Sequence, residues 1–340
     1  MRPPRPYREW RAIEARFAER LRMRKLTICM PAFERPHLIG EAIESCFRQR
    51  FRPIEIIVGD DSVSDEVERV AVSMQPPPGV ELHYRRNPET LGQSRNVNSL
   101  IEQATGSHLM LLHDDDLLCD GGVDILASQL EAHPNATCLY GLQYIVEEDG
   151  TIVAESTSSW NQRDRRVPPW AGVQASPLRA ALWHQVPNNG YLLDAQAAKA
   201  SPLRSEELVG HAVDADFIIG IAKKAEAGSF VFVPEYVSKY RLTRNSIARS
   251  RAINTREDLF FDSVLADQEL EREDDARDDL LRRIAVGAAL DAAMAGRRME
   301  ALRIMGSRYY GAPWLSRWTG YRLMAVATPG VAEKIKQFFV

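Results

Sequence analysis

The first half of the chain alternates between short apolar runs and stretches in which apolar residues recur at helical spacing. The apolar runs have the length and content of buried strands, and they cover 26–33, 54–60, 81–86 and 108–114. The stretches between them predict helices, among them 93–104 and 121–132. Apolar strands separated by helices are typical of a parallel sheet that is covered on both faces. The pattern therefore predicts an α/β, Rossmann-like half built on a mixed, mainly parallel sheet with helices on both faces.

The second half alternates less regularly. Residues 138–153 predict two strands around a turn at Asp149-Gly150, and 229–242 predict further extended structure. The polar stretch 156–176 contains two adjacent prolines, so we expect a mobile loop there that closes over a site. Helical patterns cover 213–226 and 255–300.

These patterns divide the chain into three parts. Residues 26–250 form the expected sheet domain, with a first half over 26–136 and a second half over 137–250. Residues 251–340 form a helical C-terminal extension. Residues 1–25 predict an amphipathic helix, whose apolar side would carry Trp10, Ile13, Phe17 and Leu21.

The role of the two flanking parts stays open. The N-terminal helix either packs on the main body or contacts an anionic membrane surface or a partner, although its three glutamates weaken the membrane interpretation. The C-terminal extension either packs against the sheet domain, supports a homodimer, or rests on a membrane through Trp314, Trp318 and Arg322.

Composition places the chain among ordinary globular proteins. Its 340 residues are 45% hydrophobic and 26% charged, with a formal net charge of −4. Proteins dedicated to nucleic-acid polymers usually carry a basic excess, so that class of partner is disfavoured. The four cysteines form no C-x-x-C pair, and no apolar run reaches the roughly 18 residues that span a bilayer. Because the N terminus also lacks a secretory pattern, we expect a cytoplasmic protein that either stays free or sits peripherally on the inner face of the membrane.

A cluster of acids follows the fourth apolar run. His113, Asp114, Asp115 and Asp116 come at its end, and the carboxyl ends of parallel strands face the ligand crevice of such sheets. Adjacent carboxylates repel one another unless a cation neutralises them, and Mg²⁺ and Mn²⁺ prefer oxygen ligands. We therefore expect a divalent metal ion, Mn²⁺ or Mg²⁺, at this cluster. The alternative is a helix N-cap with solvated acids, since a helix follows shortly.

Three further polar clusters lie at predicted element ends. Asp60 and Asp61 end the second run, where they either contact a base or ribose or form a turn. Arg95 lies in the first turn of a helix, where a cation opposes the helix dipole, and it either points at a nucleotide or is an ordinary surface arginine. Asp214 and Asp216 open an apolar helix and are either a general base or ordinary N-terminal acids.

Six short stretches occur in an order that resembles family 2 of the inverting glycosyltransferases, which have the GT-A fold. They are TICMPAFER, IEIIVGDDS, NPETLGQSRNVN, HLMLLHDDDLL, VDADFIIGIA and VPEYVSKYR, and together they span residues 26–245. Each motif is short and only moderately specific, whereas all six in this order are hard to obtain by chance.

The resemblance implies a role for each matching position. The donor pocket at the end of the first strand would be lined by Pro31, Ala32, Phe33, Glu34 and Arg35. Asp60 would hold the nucleotide base, with Asp61 nearby, and Arg95 would contact the base or a phosphate. At the family's D-x-D motif stand His113, Asp114 and Asp115. The metal would be bound by Asp115, with Asp114 and Asp116 as further candidates. The acceptor would be deprotonated by Asp214 or Asp216.

The implied activity is a single displacement in which an acceptor hydroxyl attacks a nucleotide diphosphate sugar and configuration inverts. A UDP-sugar is the first candidate for the donor. The acceptor is a carbohydrate, a lipid-linked sugar or another hydroxyl compound, and the setting is glycan or cell-surface polysaccharide biosynthesis. Three tryptophans are candidates for stacking on a sugar, namely Trp160, Trp170 and Trp183.

Three departures from the family pattern limit this transfer of roles. His113 stands where the first acid of D-x-D is frequent, although the triple Asp permits a register shift of one. Val213 precedes Asp214 in place of the Glu of E-D, which leaves the identity of the base open. Thr243 replaces the His that often follows Tyr-Arg.

Two other interpretations remain. A sugar nucleotidyltransferase also binds Mg²⁺ on a Rossmann-like sheet, but it usually has a Gly-rich basic loop where this chain has Pro31-Ala32-Phe33-Glu34. A non-catalytic relative that binds a sugar or nucleotide would share the fold without requiring the acids.

Overall fold

The computed structural model describes residues 25–243 and 255–311, together with residues 320, 323, 326 and 327. Its strands are β1 (Leu26–Ala32), β2 (Ile54–Asp60), β3 (Val80–Arg86), β4 (His108–Leu111), β5 (Leu117–Leu118), β6 (Cys138–Glu147), β7 (Gly172–Gln174), β8 (Leu192–Asp194) and β9 (Phe230–Leu242). Its α-helices are α1 (Pro36–Phe47), α2 (Glu66–Ser73), α3 (Gln93–Gln103), α4 (Gly122–Ala132), α5 (Ala154–Arg163), α6 (Pro177–Leu182), α7 (Ala195–Lys199), α8 (Glu206–Val209), α9 (Val213–Lys224), α10 (Glu257–Ala266), α11 (Asp274–Met294) and α12 (Arg298–Met305). Short 3-10 helices cover Pro168–Trp170 and Gln268–Glu273.

The strands form one sheet in the order β3-β2-β1-β4-β8-β6-β9-β5, and β7 also pairs with β9. Strand β1 is parallel to β2 and β4, β2 is parallel to β3, and β6 is parallel to β9. The short strands β5, β7 and β8 pair antiparallel to their neighbours. The prediction of a mixed, mainly parallel sheet is confirmed. Because β1, β2 and β4 run side by side, their carboxyl ends meet at one edge, where a ligand crevice is expected.

Alternate residues of β1 belong to two hydrophobic cores on opposite faces of the sheet, because successive side chains of a strand point to opposite faces. Leu26, Ile28 and Met30 pack with α1, α2 and α4, whereas Cys29 belongs to the core formed with α3, α6 and α9. The helices on both faces that the apolar runs predicted are therefore present.

The C-terminal helices belong to the second of these cores. Phe260 and Phe261 of α10 and Leu281 of α11 are buried with the residues of α9 and β6. The expected helical character of 255–300 is confirmed, and this part packs against the sheet domain. No helix within the described residues is long and apolar enough to cross a membrane. The expected N-terminal helix over 1–25, together with Trp314, Trp318 and Arg322, lies outside the described residues.

The expected mobile loop over 156–176 is wrong. This segment contains most of α5, a 3-10 turn and β7. The helix carries few apolar residues, and it is attached to β6 by buried polar side chains instead. Thr157 Oγ1 accepts from the Ile145 N–H at 2.9 Å, and Asn161 Nδ2 donates to the Gln143 carbonyl at 2.9 Å. The expected second strand after Asp149-Gly150 is reduced to a single bridge between Val146 and Ile152.

Candidate active site

The five residues assigned to the donor pocket lie together at the carboxyl end of β1. Pro31 and Ala32 end the strand, and the Phe33 side chain is half exposed beyond it. Glu34 has a left-handed backbone with φ of 54°, and its N–H donates to Ser62 Oγ at 2.8 Å, which fixes this loop against the end of β2. The chain then turns so that the next residue, an arginine, reaches the acid cluster.

Asp114 connects that loop to the acid cluster. Its Oδ1 accepts from Arg35 Nη1 at 2.7 Å, and its Oδ2 accepts from the Phe33 N–H at 2.9 Å. Burial raises the pKa of Asp114 to about 6, although the Arg35 guanidinium opposes the rise. Both carboxylate oxygens are already bonded, so Asp114 is suited to positioning the donor-side loop.

Asp116 points into the molecule. Its Oδ1 accepts from the Arg241 N–H at 2.8 Å, and Oδ2 accepts from Asn189 Nδ2. Burial and the neighbouring Asp115 raise the pKa of Asp116 to about 6, while His113 opposes the rise. Arg241 itself is buried and also donates from Nε to the Asp115 carbonyl at 2.8 Å. Strand β9 therefore fixes the position of the acid cluster through Arg241.

Three side chains of the cluster could share one metal ion. The ligand atoms of His113, Asp115 and Asp116 lie within 4.8 Å of one another. The Asp115 carboxylate is about one-tenth exposed and forms an ion pair with Arg35 Nη2 at 3.4 Å. Burial lowers the pKa of His113, but the hydrogen bond to Asp116 and the negative charges of Asp214, Asp116 and Asp115 together outweigh it and raise the pKa to about 9. Two carboxylates and a neutral imidazole fit a divalent transition metal, so these residues suit the ion that the sequence predicts once His113 has released its proton on metal binding.

Asp60 and Asp61 are both buried and both bonded to the protein. Asp60 Oδ2 accepts from the Tyr84 hydroxyl at 2.6 Å. The Asp61 carboxylate accepts from Asn87 Nδ2 at 2.6 Å and from the Gly92 N–H at 3.0 Å. The two acids predicted to contact the nucleotide therefore also bind β3 and the loop before α3.

The first turn of α3 is engaged by a carboxylate of the chain itself. Glu206 Oε1 accepts from the Ser94 N–H at 2.9 Å. This position near the N-terminus of α3 is where the sequence suggested an anionic ligand. Arg95 is exposed beside it, and its Nε donates to the Leu91 carbonyl at 2.6 Å.

The two candidate bases on α9 have different surroundings. Residues two positions apart on a helix are separated by about 200° around its axis, so the side chains of Asp214 and Asp216 point in different directions. Asp214 accepts from Gln93 Nε2, with both oxygens at 3.3 Å. Burial raises the pKa of Asp214, and His113 opposes the rise. Asp216 instead forms a two-pronged ion pair with Arg204, in which Nε lies 2.8 Å from Oδ2.

A cavity of about 260 Å³ lies beside Asp214. Residues from α5, α6, α9, β9 and the loop before β8 line it. Trp160 is one of them, whereas Trp170 and Trp183 pack against each other, with ring centroids 4.8 Å apart, and do not line this cavity. Of the three candidate sugar-stacking tryptophans, Trp160 is the one that lines the same cavity as Asp214.

Sequence reasoning missed several residues that shape this site. Three of them are Gln93, Glu206 and Asn189, and the last two reach the site from segments that carry no motif. Of these, Gln93 alone lies inside a matching stretch, so its proximity to the acidic helix could have been suspected. Thr243, which stands where the family often has a His after Tyr-Arg, is buried directly after β9.

Comparison with known proteins identifies relatives for the first half of the chain. Residues 27–180 match the model described as "Glycosyl transferase family 2". The GalNAc(5)-diNAcBac-PP-undecaprenol beta-1,3-glucosyltransferase of Campylobacter jejuni is 30% identical over 148 residues, which are 43% of this chain and 46% of that protein. The abequosyltransferase RfbV of Salmonella typhimurium is 27% identical over 109 residues, 32% of this chain and 33% of its own. The chain thus spans less than half of the length of these curated relatives.

Solved structures match over nearly the whole chain. TarS residues 1–349 of S. aureus, in complex with UDP-GlcNAc, superpose with a TM-score of 0.60 at 14% identity, covering 93% of this chain and 91% of that one. The mannosyltransferase PcManGT of Pyrobaculum calidifontis, in complex with GDP-Man and Mn²⁺, gives a TM-score of 0.54 at 16% identity, covering 93% and 87%. These likenesses confirm the expected GT-A fold.

Proposed function

Because residues 27–180 belong to glycosyltransferase family 2, we propose that this chain transfers a sugar from a nucleotide diphosphate sugar to an acceptor hydroxyl. The donor that we propose first is a UDP-sugar, and the reaction is a single displacement that inverts the anomeric carbon. The names of the Campylobacter and Salmonella relatives, both glycosyltransferases, support this activity. The UDP-GlcNAc bound to the TarS structure supports the class of donor.

The observation that carries the proposal is the position of Asp214. Its carboxylate lines the cavity, receives two hydrogen bonds from Gln93, and lies near enough to His113 for the imidazolium to lower its pKa. Burial has the larger effect and raises the pKa of Asp214, which makes the carboxylate a stronger base than a solvated one. Asp214 therefore takes the proton of the attacking hydroxyl, and Gln93 orients it.

The donor side is assigned to the other end of the acid cluster. Asp115 and Asp116 would hold the divalent metal ion, Mn²⁺ or Mg²⁺, and His113 would join them in its neutral form, because metal binding displaces the imidazole proton. A bound metal would supply positive charge to the diphosphate as it leaves. Arg35 adds a second positive charge beside Asp115, and the half-exposed Phe33 offers a flat surface to the nucleotide.

We also propose the setting of the reaction. The Campylobacter relative is named for an acceptor linked to undecaprenol diphosphate, which favours a lipid-linked acceptor and a role in glycan or cell-surface polysaccharide biosynthesis. A cytoplasmic protein with peripheral contact to the inner face of the membrane, alone or as a homodimer, would suit such an acceptor.

The test measures the melting temperature of the protein with UDP-, GDP- and dTDP-sugars, each with Mn²⁺, Mg²⁺ or chelator, followed by assay of donor hydrolysis. A ligand that binds the native state at 100 times its Kd adds about 2.7 kcal/mol of stability, which is readily detected. We expect one nucleotide class to stabilise the protein only with metal and to be hydrolysed slowly.

Two outcomes would contradict the proposal. If no nucleotide sugar shifts the melting temperature under any condition, the chain is better described as a non-catalytic relative. If a sugar 1-phosphate and a nucleoside triphosphate are joined with release of diphosphate, the chain is a sugar nucleotidyltransferase.

A further inference from the structure

One wall of the cavity beside Asp214 is aromatic and comes from two different elements. Trp160 projects from α5 and Tyr240 from β9, with ring centroids 5.4 Å apart and an angle of 41° between the rings. Both residues line the cavity, and Trp160 is half-buried, so part of its ring borders the open space. The Arg163 guanidinium lies 5.0 Å from the Trp160 centroid and fixes the ring from a further side.

The helix that carries Trp160 is held rigidly. Asn161, the next residue, is buried and donates to the carbonyls of Gln143 and Thr157 at 2.9 and 2.8 Å, while its Oδ1 accepts from Arg166 Nε at 2.9 Å. These bonds fix the first turn after Trp160 to the sheet. A preorganised side chain loses little conformational entropy when a ligand packs on it.

We propose that Trp160 is the surface on which the sugar ring of the acceptor packs, so that the acceptor class is a carbohydrate. This inference rests on the proposed function, because it gives the cavity beside the base to the acceptor. The volume of about 260 Å³ is just below the roughly 300–1,000 Å³ of typical ligand sites, which suits a single ring. A sugar offers an apolar face of C–H groups to an aromatic ring and hydroxyls to polar neighbours.

Polar groups for those hydroxyls are present on the same cavity. His184 lines it, and its Nε2 is buried without a hydrogen-bond partner among the described residues. Asn188 also lines it, from the loop before β8. With Asp214 on the same cavity, an aromatic face, a buried imidazole nitrogen and a base surround one space.

The experiment compares Trp160→Ala and Trp160→Phe with Trp170→Ala as the control. Trp170 lies in the 3-10 helix that follows α5 and packs on Trp183 outside the cavity. Each variant is assayed for donor hydrolysis, in which water is the acceptor, and for transfer to p-nitrophenyl glycosides of glucose, galactose, N-acetylglucosamine and N-acetylgalactosamine. We expect Trp160→Ala to lower kcat/KM for the glycoside about 10- to 100-fold, the effect of losing one large apolar contact. Donor hydrolysis and the KM for donor should be unchanged, and Trp160→Phe should recover part of the loss.

Each result decides the inference. If Trp160→Ala and Trp170→Ala transfer alike, Trp160 is not the acceptor surface. If the wild-type protein hydrolyses the donor but uses none of the glycosides, the carbohydrate assignment is overturned while the proposed donor chemistry stands. If the wild-type protein neither binds nor hydrolyses any nucleotide sugar, it is the proposed function that has failed. Equal loss of hydrolysis and transfer in Trp160→Ala would indicate a general structural role and also overturn the inference.

Discussion

At the scale of single residues, the site contains two aspartates on one helix, the half-buried Asp214 and the buried Asp216, with different partners. Asp214 borders the cavity and is bonded by a neutral amide, whereas Asp216 is neutralised by Arg204. A base must reach the acceptor hydroxyl, and both carboxylate oxygens of Asp216 are bonded by the Arg204 guanidinium. The geometry therefore separates two acids that the sequence could not.

We predict that Asp214→Asn abolishes transfer while leaving donor binding intact. Removing a general base typically costs about 10²- to 10⁴-fold in rate, so kcat should fall by that order. The measurement is the initial rate of transfer together with donor affinity from thermal shift. Asp216→Asn is the matched control: it should lower the melting temperature by removing the negative charge that pairs with Arg204, while the folded protein keeps the wild-type kcat. The reverse pattern would make Asp216 the base.

The metal assignment is tested at Asp115. We predict that Asp115→Ala removes metal-dependent donor binding without unfolding the protein, because this carboxylate is the one of the triplet with partial exposure. Mn²⁺ binding is followed directly by electron paramagnetic resonance of the free ion, with and without nucleotide. The matched control is Asp120→Ala, an exposed acid on the loop after the cluster. Wild-type Mn²⁺ affinity in Asp115→Ala would contradict the assignment.

At the scale of elements, the strands were predictable and the attachment of α5 was not. The apolar runs before Asp60 and Asp114 are long enough to define buried strands, so the acids after them had to meet at the carboxyl edge. Helix α5 has no apolar stripe, so periodicity indicated a loop. Its hold on β6 comes from Thr157 and Asn161, and side-chain bonds to a distant backbone leave no periodic signal. For the same reason Glu206, which bonds Ser94 across 112 positions, could not be found.

We predict that Asn161→Ala destabilises the protein by about 1–3 kcal/mol, because it removes the buried hydrogen bonds to the Gln143 carbonyl and from Arg166 Nε. The free energy of unfolding is measured by urea denaturation. Gln162→Ala, an exposed position on the same helix, is the control and should change it by less than about 0.5 kcal/mol. Equal effects of the two substitutions would show that α5 is held by something else.

At the scale of the whole molecule, the C-terminal helices complete the second core and bring a half-buried acid with them. Burial and the nearby Asp291 raise the pKa of Glu257, at the start of α10, to about 8 from an ordinary value of 4.5. The folded protein therefore holds a proton that the unfolded chain releases between these two values. Stability from this residue is present below about pH 4.5 and is lost as the pH rises to about 8.

We predict that this loss amounts to about 1.4 kcal/mol of unfolding free energy for each pH unit within that window. The substitution Glu257→Gln keeps the shape without a titrating group, so it should flatten the pH profile and raise stability at pH 8 relative to wild type. Urea denaturation from pH 5 to pH 9 measures both effects. If the pH profiles of the wild-type protein and of Glu257→Gln are parallel, Glu257 is not the source of the pH dependence.

The anchoring of α5 to β6 has a consequence for how the sequences of related proteins can change. Its anchoring groups, Thr157 and Asn161, face the sheet, while Trp160 faces the cavity. If Trp160 binds the acceptor as we propose, retention in the fold and recognition of the acceptor belong to different positions of one short helix. Selection can exchange the residue at 160 without disturbing the anchors, the acid triplet or Asp214. The same separation makes position 160 the natural starting point for redirecting the protein to new acceptors by saturation mutagenesis.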